Sequence, residues 1–186
     1  PPGALLAMEL IAQLLAIPTP AGGEAKVYHL SGGDSSVPLG APYKASDGFL
    51  RFEMRFIKPG SVLDTVGINP AKAGDFAIWI LPDNVLAWQI YHPGIASNVR
   101  APNGWHILRS QGNLQPERWY SVEVTWGRRG ARLVIDGKVH AQVDVNLPLS
   151  GSKVFLGDFP GDAQWAPRYE VNRSFTGDVR NIVFGP

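Results

Sequence analysis

Between residues 48 and 57 the sequence GFLRFEMRFI places Leu50, Phe52, Met54 and Phe56 at every second position, with Arg51, Glu53 and Arg55 between them. A period of two belongs to an extended strand whose successive side chains point to opposite faces. This strand is oily on one side and charged on the other, so it must lay its oily side against a second layer. The rhythm returns in RWYSVEVTW, where Val122, Val124 and Trp126 alternate with Ser121, Glu123 and Thr125. It returns again in KVHAQVDV, where Val139, Ala141, Val143 and Val145 alternate with His140, Gln142, Asp144 and Asn146. DFAIWIL and VLAWQIY are joined by Pro82-Asp83-Asn84, which predicts a hairpin because proline presets the turn angle. Asp136-Gly137 stands where a two-residue type I′ turn requires positive φ. KVFLG and FTGDVRNIVFG read as further strands. With 21 glycines and 16 prolines to punctuate these runs, the sequence predicts an all-β chain: a two-sheet antiparallel β-sandwich of jelly-roll type.

Only the beginning departs from this pattern. Residues 4–17, ALLAMELIAQLLAI, predict a short N-terminal helix, stopped by Pro18 and Pro20. It is apolar nearly all round, with Glu9 and Gln13 sharing one face, so it is either the remnant of a signal or pro-segment or a helix that calls for a covering surface, the sandwich or a partner chain through self-association. About 14 residues fall short of the roughly 20 that cross a bilayer, so no membrane span is expected. The expected organisation is therefore an apolar helix and linker over residues 1–23 and a sandwich over 24–186.

Charge narrows the partners. Seventeen Lys and Arg face sixteen Asp and Glu, a net charge of +1, and the only adjacent basic pair is Arg128-Arg129 in a turn. No nucleic-acid role is expected, since such binding draws on clustered cations. The chain has no cysteine, which excludes disulfides and thiolate chemistry.

The order of several phrases resembles the laminin-G family of the concanavalin A-like lectin and glucanase superfamily. They are Gly74-Asp75-Phe76, then Trp119-Tyr120 before an alternating strand, Leu133-Val134-Ile135-Asp136-Gly137, Phe155-Leu156-Gly157, and Phe175-Thr176-Gly177-Asp178-Val179-Arg180-Asn181-Ile182. The resemblance runs from about Gly48 to the end. It implies a secreted module, extracellular or periplasmic, that recognises a glycan or an extracellular protein. Where the family often carries a cysteine, this chain has Asp178. The resemblance also implies calcium as a cofactor in some members, with Asp75 as the matching metal ligand. A hard cation wants six or more oxygens, however, and the loop expected to add an Asn reads Leu147-Pro148-Leu149-Ser150.

Three further constellations bear on chemistry. Arg51, Glu53 and Arg55 resemble the RxExR motif of jelly-roll alginate lyases, and Gln89, Tyr91 and His92 resemble their QIH motif with one residue inserted. A polysaccharide lyase would use the arginines to neutralise a uronate carboxylate and Tyr or His to move the proton. The inserted Tyr91 turns His92 away from the face that carries Gln89. For binding, the long connection from Asp158 to Ser174 offers Trp165, Arg168, Tyr169 and Asn172, a stacking surface with polar neighbours that suits sugar rings. A second patch joins Tyr91 and His92 with Trp105 and His106. Trp79, Trp88, Trp119 and Trp126 lie inside strand patterns and are expected in the core. No Walker loop, dinucleotide fingerprint, HExxH or GxSxG motif is present. The expectation is thus a non-catalytic recognition module, with lyase activity and helix-mediated assembly as alternatives.

Overall fold

The alternating stretches become strands, and their hydrogen bonds divide them into two sets. The structure, a computed structural model, describes residues 26–65, 71–158 and 174–186. Twelve strands occur among them: β1 (Val27–Gly33), β2 (Ser36–Gly40), β3 (Gly48–Lys58), β4 (Gly60–Asp64), β5 (Phe76–Ile80), β6 (Leu86–Tyr91), β7 (Trp105–Arg109), β8 (Tyr120–Trp126), β9 (Ala131–Ile135), β10 (Lys138–Val143), β11 (Val154–Gly157) and β12 (Ser174–Gly185). The first sheet runs β1-β12-β3-β8-β9-β10 and the second β2-β11-β4-β5-β6-β7. A single parallel bridge, Ser174 opposite Ser61, joins them, and every other pairing is antiparallel. The expected helix over residues 4–17 lies outside the described residues.

The inward phase of both sheets meets in one core. From the first come Leu50, Phe52, Met54 and Phe56 of β3, Val122 and Val124 of β8, Leu133 of β9 and Val179 of β12. From the second come Phe76, Ile78 and Ile80 of β5, Leu86, Trp88 and Ile90 of β6 and Leu108 of β7. Each is essentially excluded from water, and removing that much apolar surface is the main force holding two sheets together without a covalent link. Tyr43 closes one end. Its ring stacks on Phe184 at 5.9 Å and meets Phe76 and Trp126 edge-on, and its hydroxyl donates to the Ser152 carbonyl at 2.7 Å. Burial is the chief reason that its phenol pKa is pushed up to about 12.

The turns follow the sequence. Asp136 and Gly137 both have positive φ (49° and 77°), as the type I′ hairpin between β9 and β10 demands. Pro82 to Asn84 links β5 and β6 in the expected hairpin, Asn84 taking φ 63° and donating its N–H to the Leu81 carbonyl. Gly130 at φ +95° sits where an added Cβ would lie 1.9 Å from the Val143 carbonyl oxygen, so the residue leading into β9 must be glycine. β10 departs from pure alternation: its register shifts between Val139 and Ala141, leaving His140 in a bulge.

Candidate functional site

The two sheets present very different outer faces. On the first, the charged phase of β3 enters a cross-strand ladder. Arg51 Nη2 donates to Glu123 Oε2 at 2.5 Å, Arg180 Nη2 to Glu53 Oε1 at 3.2 Å and Arg55 Nη2 to Asp178 Oδ2 at 2.6 Å. His29 Nδ1 of β1 closes on Asp178 Oδ1 at 2.5 Å, and Asn181 donates to the remaining oxygen of Glu53. Burial opposes ionisation of Asp178, but hydrogen bonds and charge from Arg55 and His29 outweigh it and hold its pKa below the usual carboxylate value. Trp119 lies on this face as well, with the Arg180 guanidinium 3.9 Å and the Arg55 guanidinium 5.3 Å from its ring centre. The lyase-like residues Arg51, Glu53 and Arg55 are therefore each engaged with protein groups.

The second face is built from the outward phase of β5, β6 and β7. Register places Tyr91 opposite Trp105, Gln89 between Ala77 and Ile107, and Ala87 between Trp79 and Arg109. Tyr91 and Trp105 pack ring to ring, centroids 5.2 Å apart at 50°. Trp79, Gln89, Tyr91, Trp105 and Ile107 are each partly exposed, while Ala77 and Ala87 are buried. Among the described residues, nothing hydrogen-bonds to the Gln89 amide, the Tyr91 hydroxyl or the indole N–H groups of Trp79 and Trp105. Rigid rings with free polar edges on a sheet face can stack on the C–H side of a sugar and hydrogen-bond its hydroxyls.

This arrangement sorts the sequence expectations. Gln89 and Tyr91 lie on the outside of the second sheet, Arg51, Glu53 and Arg55 on the outside of the first, with the core between them. Alternation assigns a side chain to a face but does not say which sheet its strand joins, so the lyase constellation is not brought together. His92 is buried beyond the end of β6, with Nε2 donating to the Pro148 carbonyl at 2.6 Å. His106, expected at a ligand site, is fully buried: Nε2 donates to the His92 carbonyl at 2.9 Å and Nδ1 accepts from Ser97 Oγ at 2.7 Å. It points inward because it follows Trp105 by one residue on β7. Trp105 is partly exposed on the outer face of β7. Trp79 and Trp119, expected in the core, stand on outer faces, whereas Trp88 and Trp126 are core residues. Trp165, Arg168, Tyr169 and Asn172 lie outside the described residues.

Asp75, the expected metal ligand, is buried at the entry to β5. Its Oδ2 accepts the Lys72 N–H at 2.8 Å and its Oδ1 accepts from Ser152 Oγ at 2.9 Å, so it caps the turn that starts the strand. Among the described residues, no three His, Asp or Glu side chains gather as metal ligands would. One carboxylate that already accepts from two donors fits a calcium site poorly.

A family model described as the laminin G domain matches residues 84–186, more than half of the chain. The chain belongs to the laminin G domain family. Solved structures agree with this fold. The pair of domains LG4-5 of the mouse laminin alpha1 chain matches with a TM-score of 0.66 at 16% identity, over 91% of this chain and 44% of that one. The LG1-3 region of the laminin alpha2 chain matches with 0.63 at 13% identity, over 88% and 31%. The CBM40 module of a Ruminococcus gnavus sialidase matches with 0.59 at 12% identity, over 86% and 89%. The chain thus spans less than half the length of the laminin fragments it matches. No curated protein sequence matches it. Among the described residues, no helix is long and apolar enough to cross a membrane.

Proposed function

We propose that this laminin G domain is a non-catalytic extracellular recognition module that binds glycan through the outer face of its second sheet. The observation that supports this most is the Tyr91–Trp105 pair, two half-exposed rings in contact on adjacent strands with the unengaged Gln89 amide one step along β6. Strands hold these groups in place before any ligand arrives, so little ordering cost opposes binding. The sialidase module of similar fold is recorded bound to α2,3-sialyllactose, which supports a glycan as the class of ligand.

The test is a glycan array probed with the chain, Tyr91→Ala and Trp105→Ala. Defined glycans should retain the parent protein, and each variant should lose at least tenfold in affinity. Binding that survives both substitutions would remove this face from the reading, and blank spots throughout would shift weight to a protein ligand or to assembly through residues 4–17. Repeating the array with a chelator tests calcium: loss of binding would bring Asp75 back as a ligand. Uronans incubated with the protein should show no absorbance from unsaturated ends; a rising signal would establish a lyase.

A further inference from the structure

The face that carries Tyr91 and Trp105 has a second aromatic at its opposite end. Trp79 projects from β5 in the same outward phase, one strand from Ala87 and two from Arg109. The pairs Trp79–Ala87, Ala77–Gln89 and Tyr91–Trp105 form three successive levels along the strands. Two levels are four residues apart, so Trp79 stands about 14 to 17 Å from the Tyr91–Trp105 pair at ordinary strand rise and spacing. The level between the two aromatic stations carries Ala77, Gln89 and Ile107, of which Ala77 is buried and Gln89 and Ile107 are partly exposed. Arg109 lies at the Trp79 level, exposed, with no partner among the described residues, and adds a donor at that end.

No single pyranose ring reaches across such a span. Resting on the proposed glycan-binding role, we infer that the face accommodates a linear oligosaccharide of about three rings, its ends stacked on Trp79 and on the Tyr91–Trp105 pair. The Gln89 amide hydrogen-bonds the hydroxyls of the middle ring. Recognition of a chain interior rather than of one terminal sugar follows, because among the described residues both stations stand on the outer sheet face with no side chain walling off either end.

Titration calorimetry with cello-, xylo- and manno-oligosaccharides of one to six units tests this with the full chain. Affinity for the bound series should rise at least tenfold between the disaccharide and the tri- or tetrasaccharide and then level off. Trp79→Ala should flatten that rise, with a larger loss of affinity for the tetrasaccharide than for the disaccharide. Trp79→Phe, which keeps an apolar ring, should retain part of it, and equal melting temperatures for the three proteins would exclude loss of fold. Equal affinity for all lengths, with Trp105→Ala still abolishing it, overturns the chain-spanning site while leaving the module a glycan binder. A length-dependent rise that Trp79→Ala leaves intact overturns the assignment of Trp79. Absence of binding at every length for all three series overturns the inference for these chains, and the array then decides the broader reading independently.

Discussion

The outer faces of the two sheets solve the same problem in opposite ways. On the first, polar side chains pair with one another: His29, Asp178 and Arg55 form one group, Arg180, Glu53 and Asn181 a second, and Arg51 with Glu123 a third. Trp119 is covered by a guanidinium. On the second, Trp79, Gln89, Tyr91 and Trp105 keep their polar ends free among the described residues. A surface whose groups are spent on each other favours stability, and one whose groups are unspent favours a ligand. On the proposed reading, the two faces of one sandwich separate holding from binding, and substitutions should separate them too.

The largest stability effect is expected at Asp178, where alanine leaves Arg55 and His29 without their shared acceptor and loosens β1 from β12. Urea denaturation should show a loss of about 2 kcal/mol, with glycan binding unchanged. Tyr91→Ala, by contrast, should cost under about 1 kcal/mol while weakening binding, because it removes a partly exposed ring from a surface. If Asp178→Ala proves neutral, or Tyr91→Ala proves the more destabilising, the division of labour fails.

Acid should act through the same carboxylate. The pKa of Asp178 is lower in the folded chain than in the unfolded one, so its contribution is complete above the usual carboxylate value of 3.8 and is lost as pH falls below it. Asp178→Asn should flatten the acid limb of a melting-temperature profile below about pH 4; an unchanged slope would assign acid sensitivity elsewhere. A smaller effect is expected at His140, whose Nδ1 accepts the Gln111 N–H at 2.8 Å across the edge between β7 and β10. That bond needs a neutral ring. Burial, and next the charge of Lys138, lower its pKa below the usual imidazole value of 6.5. The unfolded chain then takes up the proton first, so stability is complete above pH 6.5 and declines slightly below it. His140→Gln should remove this shallow slope in thermal melts between pH 6.5 and 5, and a slope that persists would exonerate the imidazole.

Most of this architecture is legible in the sequence wherever alternation sets apolar against charged residues. β3, β8 and the β9–β10 hairpin follow directly from that contrast, and the β5–β6 hairpin from its turn. The family resemblance rests on the same stretches. Legibility fails where both phases are apolar. In DFAIWIL every strand position is hydrophobic, so Trp79 reads as core although it is out of phase with Phe76, Ile78 and Ile80. Counting by twos from Ile78 would have placed it outside, beside Ala77. Trp119 sits one residue before Tyr120 and so is out of phase with Val122 and Val124 in the same way. β7 is short, and its WHILR offers too little contrast to declare itself, which hides the pairing of Trp105 with Tyr91. The partner of a strand is a long-range property, and for that reason the RxExR and QIH-like segments could look like one site while standing on opposite sides of the core.

The three-ring plug around Tyr43 carries a consequence for traffic. With Phe76 from one layer and Phe184 and Trp126 from the other clamped around a ring whose hydroxyl is tied to Ser152, aromatic side chains fill the space between the layers around Tyr43. A ligand approaching beside Tyr43 meets packed aromatic rings rather than a gap between the sheets.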